Sequence, residues 1–187
     1  MKKIVLTGAP HSGKSTLAEE LLEKGHLVVP ETAITVIESL NELLGLDGAL
    51  RWRRNHFEGF QELISERQWY METVMEDQYH QAMDLFDEFI FLDRGAHDGI
   101  AFARHFHKKF PEKASKYIED VRYDQVFLLD LVTPFDDRNE SGRIETEEDC
   151  RAIQKHLKDV YTELGLEPIL VPLMPVEDRL HFILERI

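Results

Sequence analysis

The segment Gly8-Ala9-Pro10-His11-Ser12-Gly13-Lys14-Ser15 constrains this chain more than any other, because it fits the pattern G-x-x-x-x-G-K-[ST] at every fixed position. The two glycines let the backbone curl so that successive N–H groups point inward, and the lysine adds one point charge. Such a ring holds phosphates. Its context agrees: residues 3–7 form an apolar, β-branched run directly before Gly8, and residues 14–24 place Leu17, Leu21 and Leu22 on one side with Glu19, Glu20 and Glu23 on the other. The spacing predicts strand, turn and helix, with the positive end of the helix dipole under the anion. Gly8, Pro10, His11, Ser12, Gly13, Lys14, Ser15 and Thr16 are the candidate binding residues. Lys14 suits the outer phosphates, the Ser15 hydroxyl a magnesium ion, and Thr16 the inner phosphate of ATP or GTP. His11 either contacts phosphate or faces solvent.

Four more apolar runs, at residues 26–30, 89–93, 125–130 and 168–172, are unbroken rather than alternating, as in strands buried on both faces. Helical patterns between them imply a parallel α/β sheet. A helix is expected over 32–44, then a glycine-containing break at 45–48, then a long helix over 57–86. The stripe of Trp69, Tyr70 and Tyr79 on that helix reads as core packing. Residues 133–148, polar and holding Pro134 and Gly142, read as a loop before a closing helix near 147–164.

Charge narrows the function. A net charge of −14 argues against a nucleic acid partner, since phosphate backbones are bound by clustered Lys and Arg. No apolar stretch approaches the roughly 20 residues needed to span a bilayer, so a cytoplasmic location is expected. Cys150 is the only cysteine, which excludes an intramolecular disulfide; a helix-surface or half-buried position is expected for it.

Beyond the cradle, Asp93 ends an apolar run and is followed by Arg94 and Gly95. At a strand end it can hold magnesium, accept a proton, or merely cap a helix. Glu31 follows the second run, where a carboxylate can act as a general base or simply stabilise a helix start. Arg138 and Arg143 lie in the 133–148 loop, where they can close over phosphate or remain solvated. Arg51, Arg53 and Arg54, before Phe57 and Gln61, open the insertion as an acceptor lining or a plain charged helix start. Arg104 to Lys109 reads as a solvated face.

Together these residues make the chain resemble the NadR-like P-loop kinase/ATPase family, whose members are grouped with AAA-type domains. The resemblance rests on the cradle, Val28 to Ala33, Asp93-Arg94-Gly95 with Asp98-Gly99, Arg122-Tyr123-Asp124, the Arg-bearing loop, Tyr161, Leu170-Val171-Pro172, and Val176-Glu177-Asp178-Arg179. It implies that Lys14 and Ser15 bind phosphate and magnesium, and that Glu31 and Asp93 are catalytic carboxylates. Arg94, Arg138 and Arg143 would steady the transferring phosphoryl group. Phe60-Gln61 looks like the pair with which deoxynucleoside kinases hold their base.

The expectation is therefore one three-layer P-loop domain over residues 1–187, with a parallel five-stranded sheet in the order 2-3-1-4-5. A helical insertion would occupy about 45–88, between strands 2 and 3, and a lid-like loop about 133–148. The expected activity is magnesium-dependent phosphoryl transfer from ATP to a small, nucleoside-like acceptor. The alternative is a nucleotide-dependent switch, ATPase or GTPase signalling to a protein or lipid partner. Neither the acceptor nor the oligomeric state has a signature in the sequence.

Overall fold

In the computed structural model, which describes residues 1–81, 88–133 and 145–187, five parallel strands form one sheet in the order β2-β3-β1-β4-β5. They are β1 (Lys2–Thr7), β2 (Val28–Val29), β3 (Phe89–Asp93), β4 (Gln125–Leu129) and β5 (Ile169–Val171). The helices are α1 (Lys14–Glu23), α2 (Thr32–Leu44), α3 (Leu46–Asn55), α4 (Phe57–Gln81), α5 (Asp98–His105), α6 (Glu112–Ile118), α7 (Glu147–Glu163) and α8 (Val176–Leu184). Strand order and parallel sense are as expected from the sequence. The edge strand β2 is shorter than its apolar run, because only Val28 and Val29 pair with β3.

β1 is central and pairs with β3 on one side and β4 on the other. Its alternate residues feed two cores. Ile4 and Leu6 pack with Leu17, Leu21, Phe127 and Ile183 under α1 and α8. Val5 joins Ile90, Leu92, Val126 and Tyr161 on the other face. Burial on both faces is why the run is continuously apolar, and each such side chain contributes about 1.5–3 kcal/mol. Because the strands are parallel, their carboxyl ends deliver Gly8, Glu31, Asp93 and Arg94 to one rim.

Three local readings needed correction. Gly45 does end α2, yet Gly48 lies inside α3, where a Cβ would approach that of Leu44 to 3.1 Å; the absent side chain permits the close α2–α3 turn. Trp69 and Tyr70 are 45% and 51% exposed, while Tyr79 is buried as expected. Cys150 is fully buried rather than at the helix surface, since α7 packs its Cys150, Ile153, Leu157 and Val160 against Leu128 and Leu131. Helix α7 starts at a capping box in which Thr146 Oγ1 accepts from Asp149 N and the Asp149 carboxylate accepts from Thr146 N at 2.9 Å. The short helices α5 and α6 were not foreseen.

Candidate functional site

Gly8 leaves β1 with φ 155°, and a Cβ there would stand 2.7 Å from Ser12 Oγ and 2.8 Å from the Leu129 carbonyl oxygen. Only glycine lets the loop close. His11 and Gly13 take positive φ, 65° and 77°, which turns neighbouring N–H groups towards the inside of the loop. The first bond of α1 runs from Leu17 N to Gly13 O at 3.3 Å, so the Lys14, Ser15 and Thr16 amides have no intrahelical acceptor. No acidic residue occupies that first turn. The loop is thus an anion site made from backbone.

Distant side chains hold this loop in shape. Gln154, on α7, accepts from Ala9 N at 2.8 Å and donates to the Leu129 carbonyl at 2.8 Å. Arg179, on α8, donates to the Ser12 carbonyl at 2.6 Å. Sequence reasoning missed both roles. The available signal for Gln154 was a polar residue within the buried stripe of α7. Replacing Gln154 by Ala should strand one amide and one carbonyl, each worth about 1–3 kcal/mol when buried. Triphosphate affinity, measured by calorimetry, is expected to fall about tenfold, with a melting temperature a few degrees lower.

The charged residues of the rim converge. Lys14 is 5% exposed, and its ammonium donates to the Gly8 carbonyl (2.9 Å), the Ala9 carbonyl (3.1 Å) and Ser12 Oγ (3.1 Å). Burial, then the nearby Arg94 charge, pulls it down to about 7 against the pull of Glu31, Asp93 and Asp98. Arg94 takes φ 79° and is held by three acceptors: Glu31 Oε1 (2.9 Å), Asp98 Oδ2 (3.2 Å) and the Gly8 carbonyl (3.1 Å). Burial disfavours its charge, but Glu31 and Asp98 outweigh that and hold it above the ordinary arginine range. Asp98 also accepts from Thr7 Oγ1 (2.7 Å) and the Tyr161 hydroxyl (2.6 Å). Asp93 is 3% exposed, burial pushes it up to about 6, and its Oδ1 has no hydrogen-bond partner among the described residues.

The sequence-derived residues therefore fall into groups. The cradle residues, Glu31, Asp93 and Arg94 share the rim, where Arg94 gives its Nε to Glu31 and its Nη1 to Asp98 and the Gly8 carbonyl. Arg138 and Arg143 lie outside the described residues. Phe60 lies under the Arg53 guanidinium at 5.8 Å, and Gln61 is buried against Gly99. Gln61 belongs to something the apolar periodicity hid, for the buried residues of α4 include Ser65, Gln68 and Glu72, one polar stripe at helical spacing. Gln68 accepts from Thr32 Oγ1 (2.7 Å) and donates to Glu72 (3.0 Å) and the Arg94 carbonyl (3.2 Å).

A parallel sheet in this order, with a glycine-lysine cradle at the end of its central strand, defines a P-loop nucleoside-triphosphate-binding fold. Residues 3–179 match the family model described as an AAA domain, and the chain belongs to that family. No curated protein sequence matches it. Among solved structures, NadR in complex with NAD and AMP-PNP superposes with TM-score 0.64 at 17% identity, covering 98% of this chain and 48% of that one. This chain thus spans about half of NadR. Deoxyadenosine kinase from M. mycoides gives 0.56 at 18% identity, covering 98% and 97%. Thymidylate kinase from Candida albicans gives 0.55 at 17%, covering 98% and 89%. At these identities the likeness is one of fold.

Proposed function

We propose that this chain transfers the terminal phosphoryl group of ATP to a hydroxyl of a small, nucleoside-like acceptor, with Mg2+ as the counter-ion. The observation that carries the reading is the Glu31 carboxylate, clamped by Arg94 at 2.9 Å on the rim that holds Lys14 and Asp93. A switch needs no such fixed base beside its phosphates.

Phosphoryl transfer asks a protein for position and charge more than for covalent chemistry. Lys14 exchanges its loop acceptors for phosphate oxygens, while the first-turn amides of α1 hold the remaining oxygens. Glu31 takes the proton of the attacking hydroxyl as the new O–P bond forms and the bond to the departing ADP breaks. Arg94 holds Glu31 in place through its Nε. For the metal, the donor set fits a hard cation: the Ser15 hydroxyl at the loop and the buried Oδ1 of Asp93, which lacks a donor. Bound there, magnesium would neutralise charge developing on the leaving diphosphate. Phe60 and Gln61 of α4 are the stacking and hydrogen-bonding groups that suit a nucleoside-like acceptor, and the nucleotide-bound proteins of the same fold support that class.

The test is a panel of nucleosides and vitamins incubated with ATP and Mg2+, with ADP and phosphorylated product both measured. One acceptor class should raise ADP formation well above hydrolysis. Replacing Glu31 by Gln should then lower kcat by about 10²–10³ while ATP affinity stays within about twofold, as expected for lost base catalysis. If no acceptor is phosphorylated and a partner binds only the triphosphate form, the protein is a switch.

A further inference from the structure

One side chain of the α4 polar stripe reaches both halves of the Glu31–Arg94 pair. Gln68 is 2% exposed and stands near the middle of α4. Its Oε1 accepts from Thr32 Oγ1 at 2.7 Å, and Thr32 opens α2 directly after Glu31. Its Nε2 donates to the Arg94 carbonyl at 3.2 Å and to Glu72 Oε1 at 3.0 Å. The surroundings fix which way the amide points. Glu72 is paired with Lys3 at 3.2 Å and also accepts from the Tyr123 hydroxyl at 2.9 Å, so it offers Gln68 an acceptor, and the Arg94 carbonyl can only accept. Two acceptors at one end demand the NH2 group, which leaves the amide oxygen to the threonine hydroxyl.

The bond to the Arg94 carbonyl falls where the backbone needs support. Arg94 has φ 79°, a left-handed conformation that non-glycine residues adopt uncommonly and that persists only when the surrounding structure holds it. Its N–H donates to the Leu6 carbonyl at 3.0 Å, which ties one side to β1, and Gln68 ties the other. From this backbone the guanidinium reaches Glu31 Oε1 at 2.9 Å. On the opposite side of the pair, α2 starts at Glu31 with no side-chain cap, and the Thr32 bond to Gln68 fastens that helix start to α4. Packing alone does not ask for an amide here. Methionine has nearly the same length, and burying an amide costs solvation that only its hydrogen bonds offset. What the amide adds is direction, because three bonds at set angles fix Thr32 and Arg94 relative to each other.

We infer that Gln68 is a positioning residue for phosphoryl transfer. By holding the backbone beside Glu31 and the backbone of Arg94 to one amide, it sets where the Glu31 carboxylate stands relative to the attacking hydroxyl. The inference rests on the proposed role of Glu31 as the general base. Gln61, two turns earlier on the same stripe, is assigned to the acceptor, whereas Gln68 serves the base.

The test compares Gln68→Met, Thr32→Val, Thr32→Ser and Glu31→Gln with the parent, all in the full chain. Ile153→Val, in the core beneath α7, is the control for lost stability alone and should move neither readout. The first readout needs no acceptor. The Arg94 Nε–H resonance in a 1H–15N spectrum, assigned as the side-chain peak missing from Arg94→Lys, should exchange with water at least about tenfold faster in Gln68→Met and in Thr32→Val. The second is the initial rate with ATP, Mg2+ and the four ribonucleosides and their 2′-deoxy forms as acceptors. In Gln68→Met, kcat should fall about 10- to 100-fold while the KM for ATP stays within about twofold, the split expected when a base is misplaced and nucleotide binding is not. Thr32→Val should show the same split, and Thr32→Ser, which keeps the hydroxyl, should recover most of the rate. The threonine variants decide the matter if Gln68→Met fails to fold. The proposal is overturned if the Arg94 resonance stays parent-like in the folded variants, or if they keep the parental kcat while Glu31→Gln loses it. If Glu31→Gln itself keeps the parental kcat, or the parent phosphorylates none of these nucleosides, the base reading fails and this proposal falls with it, whatever the resonance shows.

Discussion

Replacing Lys14 by Met should leave the fold intact and reduce nucleotide turnover by about 10³-fold, the scale on which pre-organised charge acts on a transferring phosphoryl group. Lys14 is the ammonium at the centre of the loop, within 3.1 Å of two carbonyls and the Ser12 hydroxyl. No other described ammonium occupies that position. Stability should behave differently from activity. Burial depresses the folded-state lysine from 10.5 to about 7, so the charged form is disfavoured in the fold. The lysine's contribution is therefore most favourable above its unfolded pKa and declines as pH falls through the window from 10.5 to about 7. Methionine has no proton to gain, so its melting temperature relative to the parent should rise as pH is lowered across that window. At pH 7 the two should melt within about 3 °C. Parent-like turnover in the Met variant would sink the assignment of the cradle.

Replacing Arg94 by Met should do the reverse, damaging the fold first. The guanidinium is the shared partner of Glu31 and Asp98, whose side chains are 10% and 3% exposed, and it also binds the Gly8 carbonyl. Removing it leaves two carboxylates near the protein interior without their cation, a class of change that costs about 3–5 kcal/mol. For a chain of this length that is a fall of about 10 °C in melting temperature, readable by circular dichroism. Lysine should rescue only part of the loss, since one ammonium cannot reproduce the separate Nε and Nη1 bonds. The double change Glu31→Gln with Arg94→Met should cost less than the sum of the two, because one of the stranded charges is then gone. A loss of less than about 2 °C for Arg94→Met would mean that these carboxylates do not depend on it.

These two residues mark different depths of legibility. Lys14 could be assigned from its neighbours in sequence, because a turn of two glycines followed by a helix start is a local structure, set by backbone sterics and the direction of a few amides. The strands were legible for a related reason. A run buried on both faces has no polar alternation, and parallel connections force helices between such runs, so residues 3–7, 89–93 and 125–130 stood out. Arg94 was expected to steady a phosphoryl group from the resemblance, and its place after Asp93 at a strand end put it only at the same rim. Its Nε and Nη1 donors go to groups 63 residues away in Glu31 and 86 away in Gly8, and no local pattern encodes that choice.

The same limit hid the rest of the support around the site. Gln154 reaches Ala9 across 145 residues and Arg179 reaches Ser12 across 167. On α4, the apolar periodicity was read as the buried face, yet Gln61, Ser65, Gln68 and Glu72 are buried while Trp69 and Tyr70 face outwards. A polar side chain is stable inside a protein only when donors and acceptors from other elements meet it. Thr32, Tyr123, Lys3 and the Arg94 carbonyl do so here. By itself, then, the order of residues determined the phosphate loop, the apolar strands and their parallel arrangement, because those follow from short-range sterics and from burial of apolar surface. Which polar groups would be buried, and which charges would hold one another, was decided only when distant segments came together.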